Sequence, residues 1–194
     1  MTDTNKYYED HAEEFYQSTV EVDMSPIYQR FLPLIPEGGA ILDAGCGSGR
    51  DSLYFKTNGY EVTAMDASEA LCKLSGELLV QDVHCMGFED MAWEDSFDGV
   101  WACASLLHVS RDNLPSIMNK FSRSLKAGGV LYASFKYGDT EREQGGRAFT
   151  DMNEELFDQL LKSTPSLELI ESWVTVDRRV DRDESWLNVV VANS

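Results

Sequence analysis

Apolar positions along this chain change period about every ten to fifteen residues, as they do where strands and helices alternate. Tyr8, Ala12, Phe15, Tyr16 and Thr19 stand near helical spacing over 5–19. Met24, Ile27, Tyr28 and Phe31 repeat the pattern over 24–32, before Pro33 and Pro36 stop it. Two helices therefore precede the first strand, Ala40-Ile41-Leu42-Asp43-Ala44. That strand runs into Gly45-Cys46-Gly47-Ser48-Gly49, and a helix over 50–56 then ends at Asn58-Gly59. A second β-rich run over 60–65 ends at Asp66, and Ser68 with Glu69 opens the next helix by N-cap logic.

Further along, the pattern predicts a short third strand at 78–81 and a fourth at 97–102. A helix over 113–125 is halted at Gly128-Gly129, and a fifth strand covers 130–135. The Gly-rich, charged stretch 138–147 reads as a loop, and a helix follows over 153–161. Runs at 167–176 and 186–191, separated by the charged 177–184, make an antiparallel pair at one edge. The order is that of a Rossmann-like, doubly wound α/β fold. It implies seven strands, mostly parallel with an antiparallel C-terminal edge strand, and helices on both faces.

Length and composition bound the answer. The chain's 194 residues, 43% hydrophobic, suit one domain, with 1–37 as N-terminal helices and 38–194 as the core. No apolar run approaches the roughly 20 residues of a membrane span, and Met1-Thr2-Asp3-Thr4-Asn5-Lys6 lacks a signal-peptide pattern, so a cytoplasmic protein is expected. Four separated cysteines, Cys46, Cys72, Cys85 and Cys103, lack metal-site spacing and read as buried or site-lining thiols. With 34 acidic against 16 basic residues, the net charge of −18 opposes tracking along a phosphate backbone and favours a small-molecule partner.

The chemistry is concentrated after the first strand. A glycine-rich turn there lets backbone approach a ligand, while the following helix presents unpaired N–H groups to negative oxygens. Glycines at 45, 47 and 49 depart from the G-x-G-x-x-G spacing of dinucleotide sites, which demotes an NAD-dependent oxidoreductase. Asp66, at the end of the next strand, is placed to accept both ribose hydroxyls of an adenosine.

Together with Asp82 to Phe88, Phe97-Asp98-Gly99-Val100 and Leu125-Lys126-Ala127-Gly128-Gly129-Val130, these motifs resemble the class I S-adenosylmethionine-dependent methyltransferases over roughly 38–135. The continuation Gly49-Arg50-Asp51-Ser52-Leu53-Tyr54 is similar to the small bacterial methyltransferases grouped with tellurite-resistance proteins. The resemblance implies S-adenosylmethionine as cofactor and S-adenosylhomocysteine as product. It implies that Gly45, Cys46 and Gly47 surround the methionine moiety, with Asp43 near its ammonium group or under the turn. Asp66 would take the ribose, followed by Ala67 and Ser68; Asp82, or the backbone at Val83 and Met86, would meet the adenine. Cys103, just past the fourth strand, completes the implied set. The first two helices would act as a lid, with Tyr16 as the cofactor-side aromatic among Tyr7, Tyr8, His11 and Tyr16.

Methyl transfer from a sulfonium needs position and desolvation more than a fixed catalytic motif. His108, directly after the fourth strand, is the candidate general base; its bland alternative is a histidine bonded to a loop carbonyl. Lys136, Tyr137 and Arg147 follow the fifth strand, where Arg147 could recognise a polar, anionic acceptor or simply be solvated. Arg178, Arg179 and Arg182 read as charges of an exposed turn. The favoured function is a small-molecule methyltransferase. Its rivals are a tRNA or protein methyltransferase and an adenosyl-ligand-binding module without turnover.

Overall fold

The computed structural model describes residues 3–179 and 183–194. Its main sheet has seven strands: β1 (Ala40–Ala44), β2 (Glu61–Asp66), β3 (His84–Cys85), β4 (Phe97–Ala102), β5 (Leu125–Lys136), β8 (Leu167–Val176) and β9 (Ser185–Asn193). Their spatial order is β3-β2-β1-β4-β5-β9-β8. The first five run parallel, whereas β9 is antiparallel to both β5 and β8. The two C-terminal runs do form an antiparallel pair at one edge, with the last strand inserted inside it and β8 outermost.

Alternation along the strands divides the core into two layers. Ile41, Trp101, Tyr132 and Val190 face helices α3 (Ser25–Phe31) and α4 (Arg50–Thr57), packing with Tyr28, Phe31 and Phe55. Their neighbours Leu42, Val100, Leu131, Val189 and Val191 face the other way, against α6 (Leu114–Ser124) and α7 (Glu154–Leu161). The sequence predicts this doubly wound arrangement, and the structure has it.

Several boundaries differ from expectation. The stretch 78–81 is no strand: α5 (Glu69–Leu79) runs into it, ending on Val80 with φ +51, and β3 begins only at His84. Leu78 and Leu79 belong to the apolar stripe of the helix, which a short apolar run cannot be told from by periodicity alone. The helix ahead of β5 stops at Ser124, and the register shift between Phe97 and Gly99 absorbs residues 126–129 as an irregularity within the strand. The charged stretch 138–147 is not an irregular loop. It folds with its flank into a hairpin, β6 (Glu141–Gln144) and β7 (Arg147–Thr150), turned by Gly145-Gly146, both at positive φ. A two-residue Gly-Gly turn matches the right-handed twist of a hairpin.

At the N-terminus, the expected first helix is two: α1 (Asp3–Asp10) and α2 (Ala12–Thr19), broken at His11. Of the two expected lid helices, the second, α3, packs on the sheet instead, burying Ile27, Tyr28 and Phe31.

Candidate active site

The alternating glycines are explained by the backbone. Gly45, Gly47 and Gly49 all have positive φ (+83, +53 and +78), which other residues rarely adopt. A Cβ on Gly45 would stand 2.5 Å from the Ser105 Cβ, and one on Gly47 would stand 3.0 Å from Phe15. The turn is tied down from β2. Gly45 and Cys46 N–H both donate to the Met65 carbonyl at 2.9 Å, and Gly47 N–H donates to Asp66 Oδ2 at 2.9 Å. Asp66 Oδ1 accepts from Ser68 N–H at 3.0 Å. Burial raises the Asp66 carboxyl, opposed by the N–H groups of Ser68, Gly47 and Ala67. With three of the carboxylate's four lone-pair sites facing these N–H groups, acceptor capacity remains for a further donor.

A cavity of about 750 Å³ opens over this turn, at the carboxyl ends of the parallel strands. That volume lies within the roughly 300–1,000 Å³ of small-ligand sites. It has two halves. Over β1, β2 and β3 the wall is Gly45–Ser48, Asp66, Ala67 and Met86–Glu89; over β4, β5 and β9 it includes Cys103, His108, Arg147, Phe149 and Trp186. The residues fit the group their resemblance implies: a glycine cradle that a Cβ would fill, and at the end of the neighbouring strand a carboxylate with spare acceptor capacity, both lining one cavity.

Gly45, Cys46, Gly47, Asp66, Ala67, Met86, Cys103 and His108 all line this cavity. Cys46 is buried, its thiol raised by that burial, and fills space between glycines. Burial also pushes the Cys103 thiol up to about 12, so it is no nucleophile near neutrality. Ser68 stands just behind the wall as the N-cap of α5, accepting from Leu71 N–H.

Asp43 lies under the turn and not on its surface. It is 2% exposed and accepts from the Ser52 hydroxyl at 2.6 Å, and burial pushes its carboxyl up to about 8. Beside it, Asp51 accepts from Arg50, Tyr28 and Trp101, and Arg50 holds it ionised, below the usual carboxylate range. Asp82 and Val83 are away from the cavity, against the C-terminal end of α5, because the helix takes up residues 78 and 79 and β3 begins only at His84. Tyr16 also misses it. The cavity face of α1 and α2 is Thr4, Asn5, Tyr8, Phe15 and Thr19, with Ala12 buried between, and Tyr16 is about 100° round from Phe15.

His108 has both ring nitrogens engaged: Nδ1 donates to the Ala148 carbonyl at 2.7 Å, so Nε2 accepts from the Tyr8 hydroxyl at 2.9 Å. Burial lowers its pKa to about 4, and it is neutral at physiological pH.

Two groups escaped the sequence reading. Glu9 on α1 accepts from the Ser68 hydroxyl at 2.7 Å and from Ala70 N–H at 3.2 Å, reaching the N-terminus of α5. Thr4, one turn earlier, accepts from Ala148 N–H of β7 at 2.9 Å. Helix α1 therefore bridges the two halves of the cavity, a property that no local spacing encodes. Arg179, expected in an exposed turn, lines the cavity, paired with Asp177 at 2.6 Å; Arg178 is exposed, and Arg182 lies outside the described residues.

Residues 42–133 match the family described as a methyltransferase domain. That match spans 92 of the 194 residues, from β1 to β5. A malonyl-[acyl-carrier protein] O-methyltransferase of Pectobacterium atrosepticum is 35% identical over 107 residues, covering 53% of this chain and 42% of the relative. The chain thus spans less than half the length of that relative. Among solved structures, a 1,6-didemethyltoxoflavin-N1-methyltransferase of Burkholderia thailandensis, bound to 1,6-didemethyltoxoflavin and S-adenosylhomocysteine, superposes with a TM-score of 0.81. It is 20% identical, covering 98% of this chain and 87% of that one. The [4+2]-cyclase SpnF shares the fold of the methyltransferase domain, at a TM-score of 0.70 and 18% identity over 87% of this chain and 78% of its own. None of these relatives is grouped with tellurite resistance, and that finer resemblance gains no support from them.

Proposed function

We propose that this chain is an S-adenosylmethionine-dependent methyltransferase acting on a small-molecule acceptor. The observation that carries this reading is the joining of the three positive-φ glycines to Asp66 through the Gly47 hydrogen bond, at the floor of one cavity. The glycine turn and Met86–Glu89 would hold the methionine and adenine parts, and Asp66 the ribose. When bound, the cofactor supplies an electrophilic methyl on a sulfonium centre.

The acceptor half, over β4, β5 and β9, would orient the nucleophile for in-line attack, with Tyr8 and Phe15 excluding water above. His108 acts here as a positioning residue: its Nε2 lone pair is taken by Tyr8, whose hydroxyl it aims at the cavity. The pocket's dimensions and the net charge of −18 favour a small acceptor over tRNA. No helix among the described residues is long and apolar enough to cross a membrane. A cytoplasmic location is part of the proposal.

Calorimetric titration with S-adenosylmethionine, S-adenosylhomocysteine and NAD tests the reading. Both adenosyl ligands are expected to bind, NAD not, and Asp66→Ala should weaken them at least tenfold. Failure of both adenosyl ligands to bind the wild-type protein would sink the proposal.

A further inference from the structure

The Lys and Arg side chains that line the cavity differ in one respect. Arg50 is paired with Asp51, Lys136 with Glu184, Arg178 with Asp23 and Arg179 with Asp177. Arg147 has no carboxylate partner among the described residues, and its Nε is buried with no hydrogen-bond partner. An uncompensated buried donor on a permanent cation is costly, and structures keep few of them without a reason.

The position of Arg147 is built rather than accidental. It opens β7 immediately after the Gly145-Gly146 turn, and β7 is anchored at Ala148 and Thr150, the residues that follow it. The Ala148 carbonyl and N–H are bound by His108 and Thr4, and the Thr150 hydroxyl donates to the Val109 carbonyl at 2.7 Å. The guanidinium lies 4.4 Å over the Tyr7 ring and 5.2 Å from Phe149, so aromatic surfaces fix its plane. The Tyr8 ring, held by His108, lies 5.9 Å from it.

We infer that Arg147 recognises a carboxylate on the methyl acceptor, so that the substrate is a monoanionic organic acid. This rests on the methyltransferase reading and deepens it. A planar guanidinium edge matches the two oxygens of a carboxylate. Phosphate fits less well. The neighbouring Lys136 and Arg179 charges are already paired with Glu184 and Asp177, which leaves Arg147 as the cation of this half of the cavity with no carboxylate among the described residues. Arg147 also belongs to the half of the cavity over β4 and β5, opposite Asp66, which separates it from the ribose end of the proposed cofactor site.

The test uses the full chain saturated with S-adenosylhomocysteine, titrated by ligand-observed NMR with benzoate, phenylacetate and succinate monomethyl ester, and with the corresponding neutral amides. At least one acid is expected to bind at least tenfold more tightly than its amide. Arg147→Met should remove that preference while binding S-adenosylhomocysteine like the wild type, and Arg147→Lys should restore part of it. Equal binding of acids and amides, no binding of any acid, or an unchanged preference in Arg147→Met would overturn the inference. So would a tenfold loss of S-adenosylhomocysteine affinity in Arg147→Met, which would make Arg147 a ligand of the cofactor's own carboxylate. Failure of S-adenosylhomocysteine to bind wild-type protein is a separate result that falls on the methyltransferase reading.

Discussion

His108 shows how a single contact changes the chemistry of a residue. Placed after β4, its imidazole is where a general base would be useful, yet its proton sits on Nδ1 facing the Ala148 carbonyl and its lone pair faces Tyr8. The folded protein resists protonating it until about pH 4, whereas the unfolded chain protonates it near 6.5. Between those values the unfolded state binds more protons, so stability falls as pH drops through that window and is fully present above it. His108→Ala should cost about 1–3 kcal/mol at pH 7.5, because it leaves the Tyr8 hydroxyl and Ala148 carbonyl unpaired. That cost should shrink by roughly 2 kcal/mol at pH 4.5. Urea melts of both proteins at the two pH values check this; a pH-independent difference would contradict it.

Residue identity was legible wherever backbone conformation demanded it. Gly45, Gly47 and Gly49 stand out because positive φ excludes other residues, and Asp66 because it ends a strand next to them. Tyr16 and Asp82 were misplaced because each assignment needed a phase: the rotation of one helix and the end of another. Local spacing gives a period but leaves that phase to the partners an element packs against.

Among the elements, α1 joins the two halves of the site. Glu9 and Thr4 hold its ends, one to α5 and the other to β7, with Tyr8 between. Its eight residues are too few for a stable isolated helix, so it depends on those contacts. Glu9→Ala removes two hydrogen bonds to the N-terminus of α5, worth about 1 kcal/mol in all. The expected result is S-adenosylhomocysteine affinity reduced about fivefold and faster amide exchange across 3–10, with the melting temperature little changed. Calorimetry and hydrogen-exchange mass spectrometry read these separately; unaltered exchange and affinity would show that α1 is held by its aromatic face alone. The β6–β7 hairpin makes the complementary point. Its Gly-Gly turn is a recognisable signal, but the charges around it read as solvated loop until the fold brings Arg147 over Tyr7.

For the molecule as a whole, the decisive feature is where the last strand goes. β9 lies between β5 and β8, not at the margin, and Leu187, Val189, Val190 and Val191 are at most 1% exposed. Burying four such side chains contributes roughly 6–12 kcal/mol, comparable with the whole stability of a domain at about 5–15 kcal/mol. Removing residues 185–194 should therefore abolish cooperative unfolding, as followed by circular dichroism on heating. A truncated chain that still melts in one sharp transition would mean that β5 closes the sheet without it.

The sequence alone determined what short-range physics enforces: the alternation of strand and helix, the two-layer core, the glycine turn and the acid one strand away. These depend on backbone sterics and on apolar periodicity, both of which act within a few residues. Tertiary structure alone decided that Asp43 sits beneath the turn, that His108 is committed to Tyr8, and that Arg147 lines the cavity with no partner carboxylate among the described residues. Each of those facts joins residues from different elements; the His108–Tyr8 bond spans 100 positions. Burial and hydrogen bonding set the charge and orientation of such groups, and both exist only once the separate elements have packed.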